Sequence, residues 1–313
     1  MLNNFSTIKA NWVKTQDAKL KGLISESLQD LVNGSQLPKG EFFVKKLLVS
    51  LVIGVAIFFN LSVVNAADLN TATLFDTAKL DSGIVAVSYN ANTSSKIKVM
   101  VEKSGSKITY NLKSDGTSEN FPLQMGDGIY KVSVLENIEG DKYKYVSTEN
   151  VSLDLTDDKQ VYLASVQNIN WNSNMAAIKL AAELTKGLKT DSAKINAIYE
   201  YLVNNVAYDY DKLTTLSYDY LPNIDNTIAS GSGLCYDYAS TFAAMLRSLG
   251  IPAKLVKGYS TKVTGYHAWN EIYDSRTGKW VTVDSTYDAQ MKSAKVKYSM
   301  EKSTAHYTKV YEY

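Results

Sequence analysis

The only cysteine of this 313-residue chain, Cys235, lies in the stretch SGSGLCYDYASTFAAMLRSLGIPAKL, residues 230 to 255. A Gly-Ser-Gly turn precedes it. Downstream, Ala239, Phe242, Ala243 and Leu246 fall at the i, i+3, i+4, i+7 spacing of one helix face. A cysteine in the first turn of a helix meets free backbone N–H groups and the positive end of the macrodipole, which favour the thiolate over the thiol. Such a sulfur can act as a nucleophile near neutral pH if a base stands beside it. The chain offers two histidines. His306 sits in a polar C-terminal tail, STAHYTKVYEY, whereas His267 opens the strand-like run HAWNEIY among aromatic neighbours and is the better candidate.

A third group has to orient the imidazole. Strands are expected at HAWNEIY (267–273) and KWVTVDS (279–285), joined by the turn DSRT (274–277). Pairing Tyr273 with Gly278 sets His267 opposite Asp284, at roughly 5 Å between Cβ atoms. The same register gathers Ala268, Ile272, Val281 and Val283 on one face, and His267, Trp269, Glu271, Trp280, Thr282 and Asp284 on the other. A one-residue slip would turn the carboxylate away.

The elements that must position these groups follow from the flanking pattern. Gly250 and Ile251 supply a Schellman-type end to the cysteine helix, Pro252 blocks its continuation, and KLVKGY (254–259) reads as a further strand. Upstream, Asn174 is expected to cap a helix through Ile178, Leu180, Ala181 and Leu184 that stops at Gly187. A second helix is expected from about Asp191, with Ile195, Ile198, Tyr199, Leu202 and Val203 on one face. Helices followed by an antiparallel sheet make an α+β layout.

Three blocks, GSGLCYDYASTFAAMLRSLGIPAKLVKGY, YHAWNEIYD and KWVTVDSTYD, in that order resemble the bacterial transglutaminase-like superfamily, a papain-like fold of cysteine acyltransferases and peptidases. The resemblance covers about residues 162 to 290, including INAIYEYLVNNVAYDYD. It implies Cys235 as nucleophile, His267 as base and Asp284 as orienter. The implied chemistry is thiolate attack on an amide to give a thioester, which an amine resolves into a cross-link or water hydrolyses. The backbone N–H of Cys235 is a natural oxyanion donor. Tyr236, Trp269 and Trp280 are further candidates for substrate contact, sheet packing being the competing role of either tryptophan. The expected partner is a protein or peptide, cell-wall peptide included. The alternative is a catalytically inactive surface or cell-wall binding module that keeps the same fold.

Charge narrows the partners. With 33 basic and 32 acidic residues the formal charge is +1, so bulk electrostatics point to neither nucleic acid nor an acidic partner. A single cysteine excludes an internal disulfide, and two histidines are too few for an ordinary His-rich metal site, so no metal or other cofactor is expected. Asp209-Tyr210-Asp211 lacks the ligand count of a calcium loop and reads as a polar turn after a helix.

Residues 44–66 carry a basic start (Lys45, Lys46), an apolar run from Leu47 to Phe59 and the small-residue pattern Val64-Asn65-Ala66. This reads as a secretory signal with cleavage after Ala66, an uncleaved single-pass anchor being the alternative, and it is the only expected link to a membrane. Signal segments normally begin a chain, yet 43 residues precede this one. Lys39-Gly40-Glu41 can be encoded by a purine run resembling a ribosome-binding site, so translation is expected to start at Val44. The competing possibility is a genuine extension, since Leu20, Leu23, Ile24, Leu28, Leu31 and Val32 have helical spacing. The expected organisation is then a doubtful extension over 1–43, a signal over 44–66, and three mature parts. Residues 68–165 hold short alternating β-runs between turns and suggest a small immunoglobulin-like or fibronectin-like sandwich. Residues 166–290 form the transglutaminase-like domain, and residues 291–313 a C-terminal tail.

Overall fold

The computed structural model describes residues 74–91 and 93–313. The expected signal segment and extension lie outside the described residues. Two antiparallel sheets occupy the first part. One has the order β1-β2-β5, from Phe75–Asp76, Ile84–Val87 and Glu119–Pro122. The other has the order β4-β3-β6-β7, from Ser106–Leu112, Ile97–Lys103, Gly128–Glu139 and Lys142–Leu153. Ile97, Val99 and Val101 recur at every second position of β3 and lie in the core. Tyr110 of β4 meets Phe121 of β5 at 5.0 Å between ring centroids, tying one sheet to the other. Strands β1 and β5, two and four residues long, carry too short a pattern to read as strands from sequence. β5 is an edge strand ending at Pro122, and proline weakens the strand signal while being tolerated at an edge.

A short 3-10 helix, Asp158–Leu163, leads into the second part. Six α-helices follow: α1 (Ala176–Leu184), α2 (Asp191–Asn205), α3 (Tyr210–Thr215), α4 (Ile224–Ser230), α5 (Cys235–Arg247) and α6 (Ser285–Ser293). Two short strands, β8 (Ala207–Tyr208) and β9 (Ser232–Gly233), pair in parallel just before α5. An antiparallel five-stranded sheet has the order β13-β12-β11-β10-β14, from Glu301–Lys302, Lys279–Val283, Val263–Asp274, Ala253–Ser260 and Tyr307–Glu312. The α+β layout is thus the observed one.

Helix α5 is the centre of this part, and its residues from Asp237 to Arg247 are all buried. Asn270 of β11 fastens it to the sheet, its Nδ2 donating to the carbonyls of Ala239 (2.9 Å) and Lys254 (3.0 Å). The helix ends as expected, with Gly250 at φ +77° and the Ile251 N–H on the Leu246 carbonyl. Arg247 donates to the carbonyls of Ala253, Ala164 and Tyr313, joining the helix end to three chain segments.

Three expectations need correction. Asn174 does not cap α1. The first turn is satisfied instead by Asp225 of α4, whose Oδ1 accepts from the Ala177 N–H at 2.8 Å. The expected strand 279–285 stops at Val283, because Asp284 caps α6. The residues expected as a polar tail contain β14, which pairs along β10, and Tyr313 is buried.

Candidate active site

Cys235 is the first residue of α5 and is half-buried. The turn before it is held by Asp237, a fully buried carboxylate that accepts from the Leu234 N–H (2.8 Å), from Lys212 Nζ (2.8 Å) and from the Tyr220 hydroxyl. Gly233 is required here, since a Cβ at that position would stand 2.8 Å from the Asp237 Cβ. One carboxylate therefore closes the helix start and anchors α3 and the chain around Tyr220 beside it. Asp209 also has a capping task, accepting from the Lys212 N–H at 2.8 Å and from the Ser232 hydroxyl.

His267 Nε2 lies 2.8 Å from Asp284 Oδ2, with the two side chains 3% and 0% exposed. The other oxygen, Oδ1, accepts from the Tyr287 N–H at 3.0 Å and so caps α6. This carboxylate is fixed by a helix start on one side and shared with the imidazole on the other. Burial pulls the His267 pKa down, but the hydrogen bond it donates to Asp284 and interaction with the Cys235 side chain outweigh it and raise the value to about 10. With Nε2 engaged by Asp284, Nδ1 is the nitrogen left for the sulfur.

The hairpin reaches this pairing by a register two residues away from the expected one. Tyr273 pairs with Trp280 and Asp274 with Lys279. The turn is displaced because Asp274 accepts from the Arg276 N–H and the Thr277 hydroxyl, while Gly278 takes φ +69° and donates to the Asp274 carbonyl. A shift of two preserves which side chains share a face. Asp284 then meets His267 from the start of α6 rather than from a paired strand position.

The further candidates part company. Tyr236, next to the cysteine, lies under the Lys257 ammonium, 3.5 Å from the ring centroid. Burial pulls Lys257 down to about 8, and the Cys235 side chain partly opposes this. Trp269 is buried behind His267, the rings stacked at 6.2 Å between centroids, which makes it a back wall rather than an open channel. Trp280 packs instead against Tyr162, Tyr273 and Lys254 beside a cavity of about 240 Å³ that β-part residues also line. His306 is half-buried with its ring on Thr261.

Sequence reasoning missed Lys257, the Lys212–Asp237–Tyr220 cluster and Tyr307, whose hydroxyl donates to Asp284 Oδ2 at 3.0 Å. The alternation of aromatic and polar residues in YTKVYEY was a usable strand signal for the last of these. Among the described residues no group of three or more His, Cys, Asp or Glu side chains is placed to hold a metal ion.

Part of the chain is similar to known proteins. Residues 178–285 match the model of the transglutaminase-like superfamily. The uncharacterised protein YebA of Bacillus subtilis is 30% identical over 124 residues, covering 34% of this chain and 17% of that protein. A protein-glutamine gamma-glutamyltransferase of Pseudomonas aeruginosa is 34% identical over 86 residues, covering 24% of this chain and 12% of that enzyme. The chain thus spans less than a fifth of the length of either relative. Among solved structures, the periplasmic domain of TgpA from Pseudomonas aeruginosa is similar at 19% identity and a TM-score of 0.36, covering 67% of this chain and 70% of that one.

Proposed function

Since residues 178–285 match the model of the transglutaminase-like superfamily, we propose that the chain is an exported cysteine acyltransferase or amide hydrolase with Cys235, His267 and Asp284 as its working groups. The observation that carries this reading is the buried His267–Asp284 pair at 2.8 Å beside a cysteine at the start of α5. A carboxylate buried with an imidazole is costly unless the pair is used or fully satisfied. Here it holds Nε2 and leaves Nδ1 as the nitrogen for the sulfur.

The steps follow from that arrangement. The Cys235 thiolate attacks the carbonyl carbon of a protein or peptide amide, and the oxyanion is met by the Cys235 backbone N–H at the helix start. Imidazolium His267 gives its Nδ1 proton to the leaving amine as the C–N bond breaks, leaving a thioester. An amine or water, deprotonated by neutral His267, then attacks the thioester and releases the sulfur as thiolate. An amine yields a cross-link, and water a carboxylate. Throughout, Asp284 accepts from Nε2–H and stabilises the imidazolium.

The part before the domain reads as a small immunoglobulin-like or fibronectin-like sandwich acting as a spacer, a reading that the three-stranded and four-stranded antiparallel sheets support. Export is inferred from residues 44–66. Among the described residues no helix is long and apolar enough to cross a membrane.

The test is mass spectrometry of the protein and of Cys235→Ala after incubation with a glutamine-containing protein and a labelled primary amine. Label incorporated by the parent alone supports cross-linking, and deamidation or cleavage by the parent alone supports hydrolysis. No change with this protein and with a panel of cell-wall peptides would favour the inactive binding module.

A further inference from the structure

We propose that Tyr307 is a positioning residue of this site, its hydroxyl holding Asp284 Oδ2 in place for His267 and taking up part of that oxygen's charge. The inference rests on the acyl-transfer reading above and extends it to β14, which lies beyond the segment matched to the family, ending at residue 285.

Asp284 divides its two oxygens. Oδ1 is bound to the start of α6 through the Tyr287 N–H, and Oδ2 accepts from His267 Nε2 at 2.8 Å and from the Tyr307 hydroxyl at 3.0 Å. The Tyr307 ring is itself held against Trp269, 5.0 Å between centroids, and Trp269 stacks on His267. Burial first, and the Asp284 charge second, push the Tyr307 hydroxyl far above its ordinary pKa, so it remains a protonated donor.

The backbone is built to bring this strand close. Gly258 pairs with His267 on one side and Lys309 on the other. A Cβ on Gly258 would lie 2.1 Å from the Thr308 carbonyl oxygen and 3.0 Å from the Trp269 ring, so a side chain there would push β14 away. The other charged groups around the pair are accounted for. Asp288 of α6 is held by Lys302 of β13 and by the Tyr199 hydroxyl of α2, while Cys235 of α5 faces the imidazole. Tyr307 is thus the one donor besides the Tyr287 N–H that shares Asp284 with His267 among the described residues.

Two histidines in the chain make the experiment simple. The ring nitrogens of His267 are titrated by NMR in the full chain, with His306→Gln used for assignment. Tyr307→Phe returns the whole Oδ2 charge to the imidazolium, so the His267 midpoint should rise by about half a pH unit. Site-specific 3-fluorotyrosine at 307, a stronger donor, should move the midpoint down and keeps the strand packed if the phenylalanine variant folds poorly. Opposite shifts in the two variants support the proposal. An unchanged midpoint in both, even with lower thermal stability, would reduce Tyr307 to packing of β14 and overturn it. The titration reads this network whether or not Cys235 transfers acyl groups, and ordinary iodoacetamide reactivity of Cys235 would sink the acyl-transfer reading separately.

Discussion

The two parts of the molecule bury different things. Among the described residues between 74 and 153 the buried polar side chains are Gln124 and Ser133, and no charged side chain is buried. From residue 230 onward the interior contains Asp237, Arg247, Lys254, His267, Asp284 and Asp288. Charges taken out of water cost several kcal/mol each unless they are paired and hydrogen-bonded. Each of these has its partner: Lys212 for Asp237, Glu312 for Lys254, His267 for Asp284, Lys302 for Asp288, and three carbonyls for Arg247. An apolar interior is sufficient for a small β-unit. The costlier interior is found around Cys235, the His267–Asp284 pair and the groups that hold them.

That contrast can be broken most severely at the reacting groups. Cys235→Ala or His267→Ala should lower acyl-transfer rates by about 10⁴-fold or more while leaving circular dichroism unchanged, checked by initial rates of labelled-amine incorporation.

Asp284→Asn should cost about 10³-fold, because the amide can still cap α6 but no longer stabilises imidazolium. It also carries a pH signature. The His267 pKa is raised from the usual 6.5 to about 10, so the pair's contribution to stability is fully present below 6.5 and is lost as pH rises through about 10. Denaturant unfolding at pH values on either side of that window should show this loss in the parent and little of it in Asp284→Asn.

The β-part gives the converse result. Phe121→Ala empties a fully buried site and should destabilise by about 3–4 kcal/mol in denaturant unfolding. The pH profile of Cys235 alkylation should stay as it was, sharpening the division between the parts.

The smallest effect is expected at Lys257, whose ammonium lies over Tyr236 next to the nucleophile. Lys257→Met should slow alkylation about threefold below about pH 8, where the lysine is charged and favours the thiolate. The difference should vanish as the lysine titrates. Stopped-flow alkylation across pH measures it.

Local signals in the sequence carried well, and long-range ones did not. The spacing of Ala239, Phe242, Ala243 and Leu246 is that of the observed α5, and Gly250 with Ile251 ends it as expected. The facing of His267 and Asp284 survived a register error because the error was two residues, which leaves side-chain parity intact. A cap supplied by Asp225 to a helix 48 positions away leaves no trace in nearby sequence. Nor does the turn register set by Asp274 and Gly278, which competes with an equally plausible turn one residue earlier. Tyr307 was lost for a different reason. It lies past the family blocks, in a strand whose polar half resembles a tail until β10 is seen beside it.

The most direct test of the central claim is the pH dependence of Cys235 alkylation by iodoacetamide, followed by intact mass, for the parent and for His267→Ala. The account predicts fast labelling at pH values well below the ordinary thiol range of about 8.5, slowed markedly in the variant. Labelling that follows an ordinary thiol and is indifferent to His267 would contradict it.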